Sequence, residues 1–158
     1  MTNVYLLLGS NEGDRQQWLH QAIEQLRTLG EITHQSATYQ TAAWGIEDQP
    51  AFLNMALCLQ TDRQPLELLK AINNIEHNLG RQRSLKWGQR TLDIDILFYG
   101  DEVVEQPELK VPHPYLQERR FALVPLNEIA PDVVHPGLSK TVAQLLEECP
   151  DKLEVVKY

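Results

Sequence analysis

Apolar positions along this chain change rhythm several times, and each change marks an element. Val4, Tyr5, Leu6, Leu7 and Leu8 are apolar without alternation, the pattern of a central strand buried on both faces. Gly9-Ser10-Asn11 supplies turn chemistry to end it. Trp18, Leu19, Ala22, Ile23, Leu26 and Leu29 then recur at helical spacing, with Gly30 as the C-terminal cap. Residues 32–40 alternate with β-branched and hydroxyl side chains and predict a second strand; residues 41–50 have no period and read as a loop.

The clearest strand is Phe52–Gln60. Leu53, Met55, Leu57 and Leu59 fall on its core face, and Phe52, Asn54, Ala56 and Cys58 on the other. Pro65 opens a second helix with Leu66, Leu69, Ile72, Ile75 and Leu79 as its buried stripe and Gly80 at its end. After a basic stretch, a strand from Thr91 to Tyr99 puts Leu92, Ile94, Ile96 and Phe98 on one face and Asp93 and Asp95 on the opposite one. The C-terminal third is proline-rich and predicts loops and short helices, of which Val142–Glu148 is the best. The order strand, helix, strand, strand, helix, strand predicts a single α+β domain over residues 1–158. Its expected form is a ferredoxin-like sandwich, with a mainly antiparallel sheet, helices on one face and long substrate loops on the other.

Composition narrows this picture. A chain of 158 residues, 42% hydrophobic, supports one core. No apolar run approaches the roughly 20 residues of a membrane span, and the N-terminal stretch lacks a cationic leader. Cys58 and Cys149 show no metal or disulfide spacing, so the expectation is a cytoplasmic protein with reduced thiols. A net charge of −8 argues against nucleic-acid binding. Against that background Arg81, Arg83, Lys86 and Arg90 form a local positive site.

Directly after these cations come Asp93 and Asp95, projecting together about 7 Å apart by strand rise. Arginines grip phosphate oxygens in a planar, multidentate way, and Lys86 acts as a movable point charge. Paired carboxylates share Mg²⁺ with phosphate oxygens and water. Together they suit phosphoryl chemistry on a nucleoside triphosphate. No Walker-type glycine-lysine loop is present, so side chains and metal must hold the phosphates. Phe52 offers a ring to stack on a flat heterocycle and Asn54 a carboxamide to read its edge; packing under loop 41–50 explains Phe52 equally well. His113, fixed between Pro112 and Pro114, suits a phosphate or ribose contact, or a hydrogen bond within its loop. His20, His34, His77 and His135 lack cluster spacing and read as surface or structural. Trp44 and Trp87 stand in loops, as lids or as packing. On the residues alone two alternatives stay open: a metal-dependent transferase with another acceptor, and a nucleotide-sensing ferredoxin-like module.

The chain resembles the 6-hydroxymethyl-7,8-dihydropterin pyrophosphokinase family of folate biosynthesis. The resemblance is carried by LGSNEGDR (8–15), YQTAAWG (39–45), DQPAFLN (48–54), IEHNLGRQR (75–83), WGQRTLDIDILFYG (87–100), VPHP (111–114), RRFALVPL (119–126) and EIAPD (128–132). The W-G-x-R-x-x-D-x-D combination is the most specific of these. The resemblance implies transfer of a diphosphate group from ATP to the pterin hydroxymethyl, giving AMP, by a monomer without nucleic-acid or membrane partners. It implies that Asp93 and Asp95 hold two Mg²⁺ ions and that Arg81, Arg83 and Arg90 bind the triphosphate and the transferring group. The resemblance further implies that Lys86 and Trp87 belong to the catalytic loop and that Glu76, Ile96, His113 and Arg119 surround the nucleotide. By the same resemblance Phe52 and Phe121 are expected to sandwich the pterin, and Asn54 and the backbone near Thr41, Ala42 and Trp44 to read its edge. Loops 41–50 and 80–90 are expected to close and exclude water. The chain departs from the family pattern at Pro114, where an aromatic residue is common, and at Lys110, where a hydroxyl residue is common.

Overall fold

Strand β1 (Thr2–Ser10) runs antiparallel between β4 (Phe52–Thr61) and β5 (Asp93–Tyr99). This is seen in a computed structural model that describes residues 1–41, 51–79 and 92–158. On its other side β4 pairs with β2 (Glu31–Gln35) through one half and with β3 (Tyr39–Thr41) through the other, and β8 (Val155–Lys157) closes the sheet on β3. The spatial order is β5-β1-β4-β3-β8, with β2 beside β4. A short hairpin, β6 (Val104–Glu105) with β7 (Lys110–Val111), forms a second sheet.

The single strand expected over 32–40 is two. Ser36 keeps main-chain contact with Ala56, but its Oγ also accepts the Ala56 amide at 2.9 Å, and the ladder breaks before Tyr39. Strand β1 also extends through Gly9 and Ser10, where a turn was expected, because both residues still pair with β4.

One face of the sheet is covered by α1 (Arg15–Leu26) and α2 (Pro65–Asn78). Leu6, Leu8, Leu53, Leu57 and Leu59 meet Leu26, Leu68 and Ile72 there, all fully buried. The stripe of α2 is rotated from the expected one. Leu68, Ile72, Ile75 and Glu76 point inward, and Leu66 is exposed. Nor does Gly30 cap α1, which ends at Leu26. A Cβ on Gly30 would lie 2.1 Å from the Gln60 carbonyl oxygen, so glycine is required by the close approach of this backbone to β4.

The opposite face is not left to loops. Helices α3 (Arg120–Ile129) and α4 (Val142–Glu148) pack on part of it, giving four helices on two faces rather than two on one. Helix α3 forms despite Pro125, which removes the amide that would bond the Phe121 carbonyl. Leu123 and Leu126 are fully buried. Their burial contributes about 1.5–3 kcal/mol each, which outweighs the roughly 3 kcal/mol an interior proline costs. Helix α4 matches its expected bounds and carries a reciprocal cap between Thr141 and Gln144.

A bulge in β5 joins the two cores. Pairing shifts between Leu6–Ile96 and Tyr5–Phe98, leaving Leu97 as the extra residue. Phe98 therefore leaves the face of Leu92, Ile94 and Ile96, where alternation alone had put it, and enters the second core. His135 packs edge-on against Phe98, and its Nδ1 accepts the amides of Gly137 and Leu138, both at 3.0 Å.

Burial lowers the His135 pKa from 6.5, so the native imidazole is neutral where an unfolded one is protonated. Its stabilising effect is complete above that ordinary value and is lost as pH falls toward the lowered one, since the unfolded chain then binds more protons. Thermal midpoints followed downward from neutral pH should fall more steeply in the wild type than in His135→Asn, whose carboxamide oxygen accepts both amides without titrating.

Candidate active site

Antiparallel partners share a face, so the register of β5, β1, β4 and β3 lays out the site in rows. Asp93, Gly9, Asn54 and Tyr39 stand side by side in one row. Asp95, Leu7 and Ala56 make the next row, and Thr41 and Phe52 the one on the other side. Leu7 and Ala56 already belong to the core under α3 and α4. The two acids, both partly buried, therefore lie beside the part of this face that α3 and α4 cover.

Gly9 makes the first row work. A Cβ there would stand 2.6 Å from Asn54 Nδ2, so only glycine lets the carboxamide lie across β1, where Nδ2 donates to the Leu8 carbonyl at 3.3 Å. Among the described residues Asn54 Oδ1 and Thr41 Oγ1 are buried without a hydrogen-bond partner. A buried polar atom in that state is free to bond a ligand or a water molecule. Two strand spacings, about 10 Å, separate strand β4 from the acidic strand β5.

The segment before α3 forms a second wall. The His113 amide donates to the Leu97 carbonyl at 3.1 Å, so the β5 bulge anchors this loop next to the acids. His113 Nδ1 accepts the Tyr115 amide at 3.2 Å. Burial lowers the His113 pKa and the Arg119 charge lowers it further, while Asp93 opposes them. The charges of the arginine and the acid thus both act on the same imidazole. The Arg119 guanidinium carbon lies 5.4 Å from the Tyr115 ring centroid and 5.7 Å from that of Phe121. Phe121, in the first turn of α3, is partly buried against the second core.

Glu76 reaches the acids from behind. It is 2% exposed on α2, and its Oε2 accepts the Ile94 amide, the one between Asp93 and Asp95, at 2.7 Å. At this sheet edge the carboxylate replaces a neighbouring strand. Ile96 is 4% exposed and packs its side chain in the first core. Strand alternation turns its backbone groups outward like those of Ile94, so backbone is what Ile96 has to offer a ligand.

The structure thus brings Asp93, Asp95, Asn54, Thr41, Phe52, His113, Arg119 and Phe121 to one sheet face and its rim. Ala42, Trp44, Arg81, Arg83, Lys86, Trp87 and Arg90 lie outside the described residues, as does the rest of 42–50 and 80–91. Among the described residues no group of three or more His, Cys, Asp or Glu side chains is set to hold a metal. Gly9 and Tyr115 escaped sequence reasoning. The turn-like composition of Gly9-Ser10-Asn11 hid the strand, and Pro125 hid the helical spacing of Ala122, Leu123 and Leu126.

Residues 5–131 match the family model of 7,8-dihydro-6-hydroxymethylpterin-pyrophosphokinase (HPPK). The 2-amino-4-hydroxy-6-hydroxymethyldihydropteridine pyrophosphokinase of Aquifex aeolicus is 47% identical over 148 residues, spanning 94% of this chain and 92% of that protein. Its namesake from Bacillus subtilis is 46% identical over 147 residues, spanning 91% and 88%. The crystal structure of Plasmodium falciparum HPPK-DHPS wild type with pteroate superposes with a TM-score of 0.76 at 18% identity, covering 93% of this chain and 42% of that one. That last likeness concerns the fold.

Glu76→Ala should cost about 2 kcal/mol, because it strands a buried amide as well as removing an acceptor. Native-state hydrogen exchange is the sharper check. The Ile94 amide should exchange faster in the variant, while amides of β4 keep their protection.

Proposed function

Because the chain belongs to the 7,8-dihydro-6-hydroxymethylpterin-pyrophosphokinase family, we propose that the end of the sheet face carrying Asp93 and Asn54 holds both substrates in line for transfer. The chain is an enzyme of folate biosynthesis that moves a pyrophosphoryl group onto hydroxymethyldihydropterin. The observation that carries the placement is the row Asp93, Gly9, Asn54, with a buried, unsatisfied carboxamide oxygen at one end and an acid at the other. A flat heterocycle with donors and acceptors on its edge fits the first, and a polyphosphate fits the second.

In this reading the pterin ring stacks between Phe52 and Phe121. Asn54 and Thr41 pair with its edge, joined by backbone near Ala42 and Trp44. ATP lies toward β5, with His113, Arg119 and the backbone of Ile96 around it. Glu76 supports that strand from the α2 side. Arg81, Arg83 and Arg90 hold the triphosphate, with Lys86 and Trp87 beside them. The donors of Asp93 and Asp95 are hard oxygens on one strand face. They fit Mg²⁺, an ion that takes few carboxylates and fills its remaining positions with phosphate oxygens and water. Two such ions, when bound, supply neutralisation of the polyphosphate charge. The pterin hydroxyl oxygen forms the new bond to the β-phosphorus, its proton is released, and the bridging oxygen leaves with AMP. Positioning supplies most of the acceleration, since the reactants are held in line and the arginines meet charge as it shifts.

All these groups come from one chain, which supports a monomer built as one ferredoxin-like domain. Cytoplasmic residence is part of the same reading. Among the described residues no helix is long and apolar enough to cross a membrane.

Supplied with ATP, Mg²⁺ and hydroxymethyldihydropterin, the protein should yield AMP and a pterin diphosphate. ADP with a pterin monophosphate would overturn the reaction. Chelation should stop turnover and added Mg²⁺ restore it. Asp95→Ala should lower kcat by about a hundredfold or more. Asn54→Ala should raise the KM for pterin about tenfold and leave that for ATP nearly unchanged.

A further inference from the structure

Two residues given no role above join the two walls of the site. Tyr39 Oη donates to Glu128 Oε1 at 2.5 Å, and the same carboxylate accepts the Ala37 amide at 3.2 and 3.1 Å from its two oxygens. Tyr39 is 7% exposed, and burial and then Glu128 push its pKa up to about 12. Its hydroxyl therefore stays a donor at any working pH. A carboxylate that accepts from both a phenol and an amide makes charge-assisted bonds, the stronger kind.

The contact sits where it can govern the gap between walls. Tyr39 stands opposite Asn54, and Thr41 two residues on stands opposite Phe52, so all four side chains share the site face. Ala37 lies in the break between β2 and β3, where its amide turns toward α3. On α3, Glu128 follows Phe121 by two helical turns, which puts both on one helix face about 10 Å apart along the axis. One end of that face is tied to the strand carrying Thr41, and the other presents the Phe121 ring and its neighbour Arg119. The body of the helix is held independently by Ala122, Leu123 and Leu126 in the core. The tie at its exposed rim thus sets tilt rather than attachment.

We propose that Glu128, bonded to Tyr39 and the Ala37 amide, is a positioning clamp that sets the spacing between Phe52 and Phe121 and so the fit of the pterin. The proposal rests on the pterin placement given above.

The test compares Tyr39→Phe, Glu128→Ala, Glu128→Gln, the double variant Tyr39→Phe/Glu128→Ala, and Phe121→Ala. Calorimetry gives the affinity for hydroxymethyldihydropterin in the presence of a nonhydrolysable ATP analogue, and for the analogue alone; thermal midpoints are recorded beside them. Tyr39→Phe and Glu128→Ala should each weaken pterin binding about five- to tenfold, with analogue binding within about twofold of wild type. The double variant should resemble the worse single one, as expected of one shared interaction. Glu128→Gln, whose carboxamide oxygen still accepts, should recover most of the affinity. Suppose instead that Tyr39→Phe and Glu128→Ala lower the midpoint with no selective loss of pterin, or weaken both ligands alike, while Phe121→Ala selectively loses pterin. The contact is then only structural and the clamp is wrong. If Phe121→Ala leaves pterin affinity intact, the placement of the pterin itself fails.

Discussion

Strand β1 hydrogen-bonds to β4 along one edge and to β5 along the other, and its register decides which side chains of those strands meet. Gly9 falls level with both Asn54 and Asp93. A slip of one residue on either side would turn the acids or the carboxamide into the first core. That core resists such a slip, because Leu53, Met55, Leu57 and Leu59 would then leave it together. Burial of those side chains, at about 1.5–3 kcal/mol each, therefore locks the chemistry on the opposite face.

The β5 bulge has consequences on both faces. It moves Phe98 into the second core, where α3 and α4 dock, and it presents the Leu97 carbonyl to the His113 amide. The loop that ends in Arg119 and the helix that carries Phe121 in its first turn are thereby brought beside the acids. Packing and site geometry share the same irregularity.

Electrostatics demand local solutions here. A chain of net charge −8 that takes up a polyphosphate must meet it with cations at close range, since salt screens charges beyond about 8 Å. The Arg119 and Asp93 charges act on the same imidazole in opposite directions, and the basic residues at 81–90 precede the acids directly in sequence. Glu76 adds a buried carboxylate behind that strand. Its hydrogen bond from the Ile94 amide offsets part of the desolvation such a group suffers.

By itself the sequence determined the faces of regular elements. The alternation of Phe52–Gln60 put Asn54 opposite the core, and the D-x-D spacing put both acids on one side of their strand. The existence of the two amphipathic helices was legible too, because period is a local property of a chain, whereas the stripe that α2 buries was set by packing. Only the tertiary structure decided where those faces lead. It decided that Gly9 is a seat for the Asn54 side chain rather than a turn, that Phe98 crosses to a second core, and that Glu76 serves the edge of β5. It also decided that a proline-bearing segment becomes helix α3, covers part of the face expected to carry loops, and bonds Tyr39 through Glu128. Each of these depends on partners distant in sequence, and the energy that favours them arises only once the sheet has brought those partners together.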